Sequence, residues 1–251
     1  MIFYFTATGN GKHIAKLVAD KTGDNIIDVA ECVRGDNFNF KLSEGESLGI
    51  VVPVYFYGIP VIIAEFLQRV KISAEGKFYS YAILHCGDKT GNAEKILNKV
   101  FNFDAVYALK AVENYVPMYK QPSPAKTLKQ LDKTEADALE IAKLINARHM
   151  GSFNPVKGKF ARILTAFAYP IYIKGRKTKN FILNNGDCTS CGICVKICPR
   201  GVIRFVGGKP LWATEQCELC LACLHRCPKS AIDYGKKSAE NGRYVNPRVE
   251  L

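Results

Sequence analysis

The chain has 251 residues, 48% of them hydrophobic, and a formal charge of +12. That length suits one large domain or two small ones, and the lack of any 18-residue apolar run excludes a helix that spans a bilayer. Met1 leads into the apolar residues 2–5 with no basic stretch before them, so no secretory leader is expected. The expected location is therefore cytoplasmic, where structural disulfides are rare.

The charge is uneven along the chain. Residues 1–146 hold 17 Lys and Arg against 17 Asp and Glu, residues 147–187 hold eight against one, and residues 188–251 hold ten against five. No basic stripe with interleaved stacking aromatics accompanies the excess, which sets nucleic acid aside as a partner.

Residues 1–147 alternate between two periodicities. Apolar runs at 2–6, 25–29, 48–54, 78–86 and 106–112 predict strands, and helical spacing predicts helices over 10–21, 61–70, 92–101 and 133–147. Five strands alternating with helices predict an α/β fold, a doubly wound parallel sheet. Such a sheet binds its ligand beyond the carboxyl ends of the strands.

Three loops fall at that end. The first, Thr6-Ala7-Thr8-Gly9-Asn10-Gly11-Lys12, has short hydroxyls and glycines at the start of a helix. Free N–H groups there form a cradle for a phosphate. It is neither a dinucleotide fingerprint nor a Walker loop. The second, Pro53-Val54-Tyr55-Phe56-Tyr57-Gly58, holds three adjacent aromatics, which are costly in a loop unless they stack on something. The third, His85-Cys86-Gly87-Asp88, opens a polar, glycine-rich edge.

This constellation resembles flavodoxin over residues 1 to about 147. The resemblance implies FMN, with its phosphate on Thr6, Thr8, Gly9, Asn10 and Gly11 and with Lys12 as an added cation. It implies Tyr57 stacked on the isoalloxazine beside Pro53, Tyr55 and Phe56, and Cys86, Gly87 and Asp88 along the pyrimidine edge. Ile59 stands where an acidic residue is common, which implies a weaker negative field on the flavin. Gly58 is expected to let the adjoining peptide flip.

Residues 148–183 read as a basic linker. Its segment 159–173 is an apolar helix with basic residues, expected to end at Pro170. Packing against a domain is the plainer reading of this helix, and peripheral contact with a membrane surface is the sharper one.

Residues 184–251 hold eight of the ten cysteines. Cys188, Cys191, Cys194 and Cys198 precede Pro199, and Cys217, Cys220, Cys223 and Cys227 precede Pro228 with the same spacing. A zinc site uses four ligands, commonly as two pairs, and leaves the third cysteine of each loop unexplained. The stretch resembles the bacterial two-cluster ferredoxins. That resemblance implies two 4Fe-4S clusters with exchanged fourth ligands: Cys188, Cys191, Cys194 and Cys227 for one, and Cys217, Cys220, Cys223 and Cys198 for the other. Cations within 195–200 and 224–229 are expected to offset thiolate charge. His13, His85, His149 and His225 are not expected as metal ligands, since cysteines complete both clusters; for His85 a structural role is the plainer reading and a hydrogen bond to the flavin the sharper one.

The whole chain resembles flavodoxin–ferredoxin fusion proteins. The expected role is electron transfer between redox partner proteins, with FMN exchanging electrons in pairs or singly and each cluster carrying one. No catalytic nucleophile and base are visible. The alternatives are an FMN-dependent reductase acting on a small substrate and a flavin-free docking module.

Overall fold

The computed structural model describes residues 1–251. In chain order the elements are β1 (Ile2–Tyr4), α1 (Asn10–Thr22), β2 (Ile26–Asp28), α2 (Val29–Arg34), β3 (Asn39–Leu42), β4 (Leu48–Pro53), α3 (Val61–Arg69), β5 (Lys71–Ala74), β6 (Ser80–Cys86), α4 (Ala93–Leu97), β7 (Ala105–Lys110), α5 (Pro124–Asn146), β8 (Gly151–Phe153), α6 (Ala161–Gly175), β9 (Phe181–Leu183), α7 (Ile193–Lys196), β10 (Ile203–Val206), β11 (Lys209–Trp212), α8 (Ala222–His225) and β12 (Ile232–Tyr234).

Six strands make one parallel sheet in the order β2-β1-β4-β6-β7-β8. Side chains alternate faces along each strand. Phe3, Phe5, Ile50, Val52 and Leu84 therefore meet Ile62, Ile63 and Phe66 of α3 on one side. Ile2, Tyr4, Val51, Ile83 and Tyr107 meet α1 and α5 on the other. Two largely apolar faces explain why the strands read as continuous hydrophobic runs.

Several elements differ from the sequence expectation. β8 adds a sixth strand from within the expected linker; three residues are too few to show a period. β3 and β5 form a small parallel pair of their own. α5 begins at Pro124 rather than 133, because proline in the first turn lacks only an N–H that has no intrahelical partner there. α6 continues through Pro170. Pro170 and Ala166 both face solvent, so water can take the Ala166 carbonyl that proline leaves unpaired.

The C-terminal part has a small core of Cys194, Cys198, Cys217 and Cys223 among Val202, Ile203, Leu224 and Ile232. This core is not self-contained, since Tyr55, Phe56, Val61 and Tyr115 of the sheet domain pack against it. A buried carboxylate fixes the junction. Glu218 is 1% exposed. Its Oε1 accepts the Tyr172 hydroxyl of α6 at 2.6 Å and the Ile62 N–H of α3 at 3.3 Å. Its Oε2 accepts Arg200 Nε at 2.8 Å, and Arg200 also pairs with Glu65 of α3.

The last residues return to the sheet domain. Tyr244 donates its hydroxyl to Asn10 Oδ1 at 2.6 Å, and Asn246 donates its backbone N–H to the Thr8 carbonyl at 2.7 Å.

Arg200→Met strands a buried carboxylate and is expected to lower unfolding stability by about 3–5 kcal/mol. Adding Glu218→Gln should recover part of that loss in a denaturant titration followed by circular dichroism, because the unpaired charge is then gone.

Candidate functional site

A cavity of about 650 Å3 opens at the carboxyl ends of β1, β4, β6 and β7. Its floor is the loop after β1. Gly9 adopts φ +102° and turns the chain into α1. Asn10, Gly11 and Lys12 form the first turn, and their N–H groups have no backbone or side-chain partner. Thr6 Oγ1 accepts the Gly9 N–H at 3.0 Å, and Asn114 Nδ2 donates to Thr8 Oγ1 at 2.7 Å. Gly11 is needed for close approach, since a Cβ there would lie 2.4 Å from the Phe5 carbonyl oxygen.

Beside this turn lies His85, which is 7% exposed and lines the cavity. Its Nε2 is buried without a hydrogen-bond partner and lies 3.3 Å from where a Cβ on residue 11 would be. Burial lowers its pKa to about 4, so the ring is neutral at physiological pH.

The aromatic loop is a tight turn. Tyr55 and Gly58 exchange N–H···O bonds of 2.9 Å across it. Phe56 and Tyr57 take φ values of +50° and +62°, the signature of a type I′ turn. Bulky residues in that region store strain of about 1–3 kcal/mol each and need surroundings that hold them. Phe56 stacks on Tyr172 of α6 at 5.8 Å between ring centroids and meets Tyr115 edge-on at 5.1 Å. The Tyr57 carbonyl accepts the Thr165 hydroxyl of α6 at 2.9 Å. The peptide between Tyr57 and Gly58 is thus held at both ends, and a Cβ at 58 would lie 2.2 Å from the Tyr169 ring. The expected freedom of this peptide to flip is not what the structure provides.

The other walls are polar on one side and apolar on the other. Cys86, Gly87, Asp88 and Lys89 form an edge with Glu113, whose Oε1 accepts the N–H groups of Asn114 and Tyr115 at 2.9 and 2.8 Å. Burial pushes the Cys86 thiol up to about 12, which leaves it protonated. Opposite stand Tyr172 and Ile171 of α6 and Leu219, Cys220 and Leu221 of the second cysteine loop.

The two cysteine loops repeat one backbone path. Ser190 and Gly192 have φ of +59° and +81°, and their counterparts Leu219 and Leu221 have +53° and +60°. After each Cys-Pro the N–H three residues on from cysteine returns to its carbonyl, Gly201 to Cys198 and Ser230 to Cys227, both at 3.1 Å. Left-handed residues turn successive N–H groups inward and form an anion-binding nest. Leu219 donates its N–H to Cys217 Sγ at 3.2 Å, and Ala231 to Cys227 Sγ at 3.3 Å.

Cys188, Cys191, Cys194 and Cys227 line one small cavity together. Cys198 shares the small core with Cys217 and Cys223 of the second loop. No three His, Cys, Asp or Glu side chains gather around a point tightly enough for a single ion. Of the expected cations, Lys229 lines the cavity of the first four cysteines, and further cations come from outside the two expected stretches. Arg200 serves Glu218 and Glu65, while Lys209, Arg34 and Arg176 donate to the carbonyls of Cys188, Cys198 and Cys217.

Of the sequence-predicted residues, Thr6, Thr8, Asn10, Pro53, Tyr55, Phe56, Tyr57, Cys86, Gly87 and Asp88 line the large cavity, whereas Gly9, Gly11, Lys12 and Gly58 do not. Gly9 backs onto Asn246, and Lys12 donates its Nζ to the Glu250 carbonyl at 2.8 Å. Ile59 is fully buried beside Ile62 and Ile63, so it does not set the field of the cavity. Asp88 and Glu113 supply the carboxylates there. Glu113, Asn114, Tyr115 and Tyr172 join the cavity without having been expected there, and Leu219, Cys220 and Leu221 of the second cysteine loop share its wall.

A sequence model described as a flavodoxin domain matches residues 1–103, and one described as a 4Fe-4S dicluster domain matches residues 173–232. No curated protein matches the chain. Among solved structures the chain is similar to a rubredoxin oxygen:oxidoreductase from the anaerobe Desulfovibrio gigas, at 15% identity and a TM-score of 0.34, over 59% of this chain and 36% of that one. It therefore spans little more than a third of that protein. It is also similar to a flavone reductase, at 11% identity and a TM-score of 0.37, over 83% of this chain and 79% of that one.

Proposed function

The chain is a flavodoxin–ferredoxin fusion, with an N-terminal flavodoxin domain, a C-terminal 4Fe-4S dicluster domain and a flavin and iron–sulfur redox role, and from that premise we propose that it passes electrons between FMN and two 4Fe-4S clusters within one molecule. The observation that carries this reading is a shared wall. Leu219, Cys220 and Leu221 of a cysteine loop line the same cavity as the Thr6–Thr8 loop and Tyr55–Tyr57.

In this reading the free N–H of Asn10 and the Thr6 and Thr8 hydroxyls bind the FMN phosphate. The neutral ring of His85 packs beneath Gly11 at the foot of the first turn of α1. Tyr57, on its strained turn, stacks on the ring system. The backbone at Cys86–Asp88 meets its polar edge. One cluster is held by Cys188, Cys191, Cys194 and Cys227, and the other by Cys217, Cys220, Cys223 and Cys198, the latter next to the flavin. FMN exchanges electrons in pairs or singly and each cluster carries one, so the fusion couples one-electron to two-electron redox partner proteins and holds up to about four electrons. The protein positions these groups and tunes their potentials.

A second reading, an FMN-dependent reductase with a small substrate, draws on one observation. The cavity is rimmed by the exposed apolar side chains Met118, Tyr119 and Ile171, which leave room for an apolar molecule.

Protein purified without oxygen is expected to carry about eight irons and eight sulfides with one FMN. Cys198→Ser should damage the cluster of the second loop although Cys198 follows the first. One zinc without sulfide, or loss confined to the first loop's cluster, would sink the assignment.

A further inference from the structure

The electron-transfer reading leaves the outer face of α6 unused. Its inner face is occupied: Thr165 donates to the Tyr57 carbonyl, Tyr169 to the Ile59 carbonyl and Tyr172 to Glu218. The outer face presents Arg162, Ile163, Ala166, Phe167, Pro170, Ile171 and Lys174 to solvent at helical spacing. Ile163, Phe167 and Ile171 are 56%, 74% and 63% exposed, and Phe160 just before the helix is 66% exposed. Large side chains exposed in a row mark a docking surface rather than scatter.

Charge identifies the surface that this face fits. Arg162 and Lys174 bracket the apolar stripe. No Asp or Glu occurs between Glu140 and Asp187, while Arg148, Lys157, Lys159, Arg176, Lys177 and Lys179 also lie in that stretch. An apolar helix stripe in a purely cationic segment matches the interface of an anionic bilayer, where acyl chains take the stripe and headgroups take the cations. No helix of the chain is long and apolar enough to cross a membrane. The stripe is also continuous with the cavity, because Ile171 belongs to both and Met118 and Tyr119 extend the same rim.

We propose that α6 seats the protein on an anionic lipid surface, with Phe160, Ile163, Phe167 and Ile171 among the acyl chains and the mouth of the flavin cavity turned toward the membrane. This docking goes beyond the electron-transfer reading and holds whatever the cavity contains. It gives an apolar redox molecule dissolved in the bilayer a direct way to the cavity.

The test is flotation of the anaerobically purified full chain with two kinds of vesicle, phosphatidylcholine alone and phosphatidylcholine mixed equally with phosphatidylglycerol. Binding is expected on the anionic vesicles, at least about tenfold weaker on the neutral ones, and weakened by added salt. Phe167→Ser, a change at an exposed position, should reduce anionic binding at least about tenfold, and Leu128→Ser, exposed on α5, should not. Three results overturn the proposal. They are no flotation with either vesicle, flotation that Phe167→Ser leaves intact, and self-association in sedimentation velocity that Phe167→Ser abolishes, which would assign the face to a second copy of the chain.

Discussion

One buried carboxylate holds the two parts of this molecule in a working relation. Glu218 lies inside the second cysteine loop, yet its partners come from α3, from α6 and from the segment after Cys198. A carboxylate removed from water is stable only when its lone pairs are filled. Here a tyrosine hydroxyl, a backbone N–H and a guanidinium fill them. The loop cannot turn away from the sheet domain without stripping those partners. Its neighbours Leu219 and Cys220 are therefore kept against the aromatic turn and the cavity.

The same logic of enforced geometry runs through the site. The turn at Phe56 and Tyr57 and the loops at Leu219 and Leu221 place bulky residues where glycine would be easier. Each strained residue is caught in packing: Phe56 between Tyr172 and Tyr115, and Leu219 and Leu221 in the small core around the cysteines. α6 is the common support. It stacks on Phe56 and holds the Tyr57 carbonyl, and through Tyr172 it holds Glu218. A helix that looked like a linker is the wall between the two halves.

Legibility in the sequence followed range. The parallel sheet was readable because strands buried on both faces show as unbroken apolar runs, and the cysteine loops because their spacing is local. The Thr6–Gly11 loop and Tyr55–Tyr57 were readable because a strand, a turn and a helix follow one another directly. What escaped depends on chain segments far apart. Ile59 sits one residue from the cavity, yet its side chain faces the core, a consequence of turn geometry that no spacing reveals. His85 was readable as a polar residue at a strand end, but its buried, unpaired Nε2 depends on the approach of Gly11. Glu113 and Asn114 follow β7, a fifth strand end at the ligand side of the sheet, and that topology was a usable signal. Lys12 was misplaced because its partner is Glu250, at the other end of the sequence.

The central claim is that the cysteine loop beside Tyr55 and the flavin cavity form one electron-transfer unit within a single molecule. The most direct measurement is the rate at which electrons from pre-reduced clusters reach the flavin after rapid mixing, followed at flavin wavelengths over a wide range of protein concentration. The account predicts a first-order rate constant that does not change with concentration. A rate that rises in proportion to concentration would mean that electrons pass between molecules, and would contradict it.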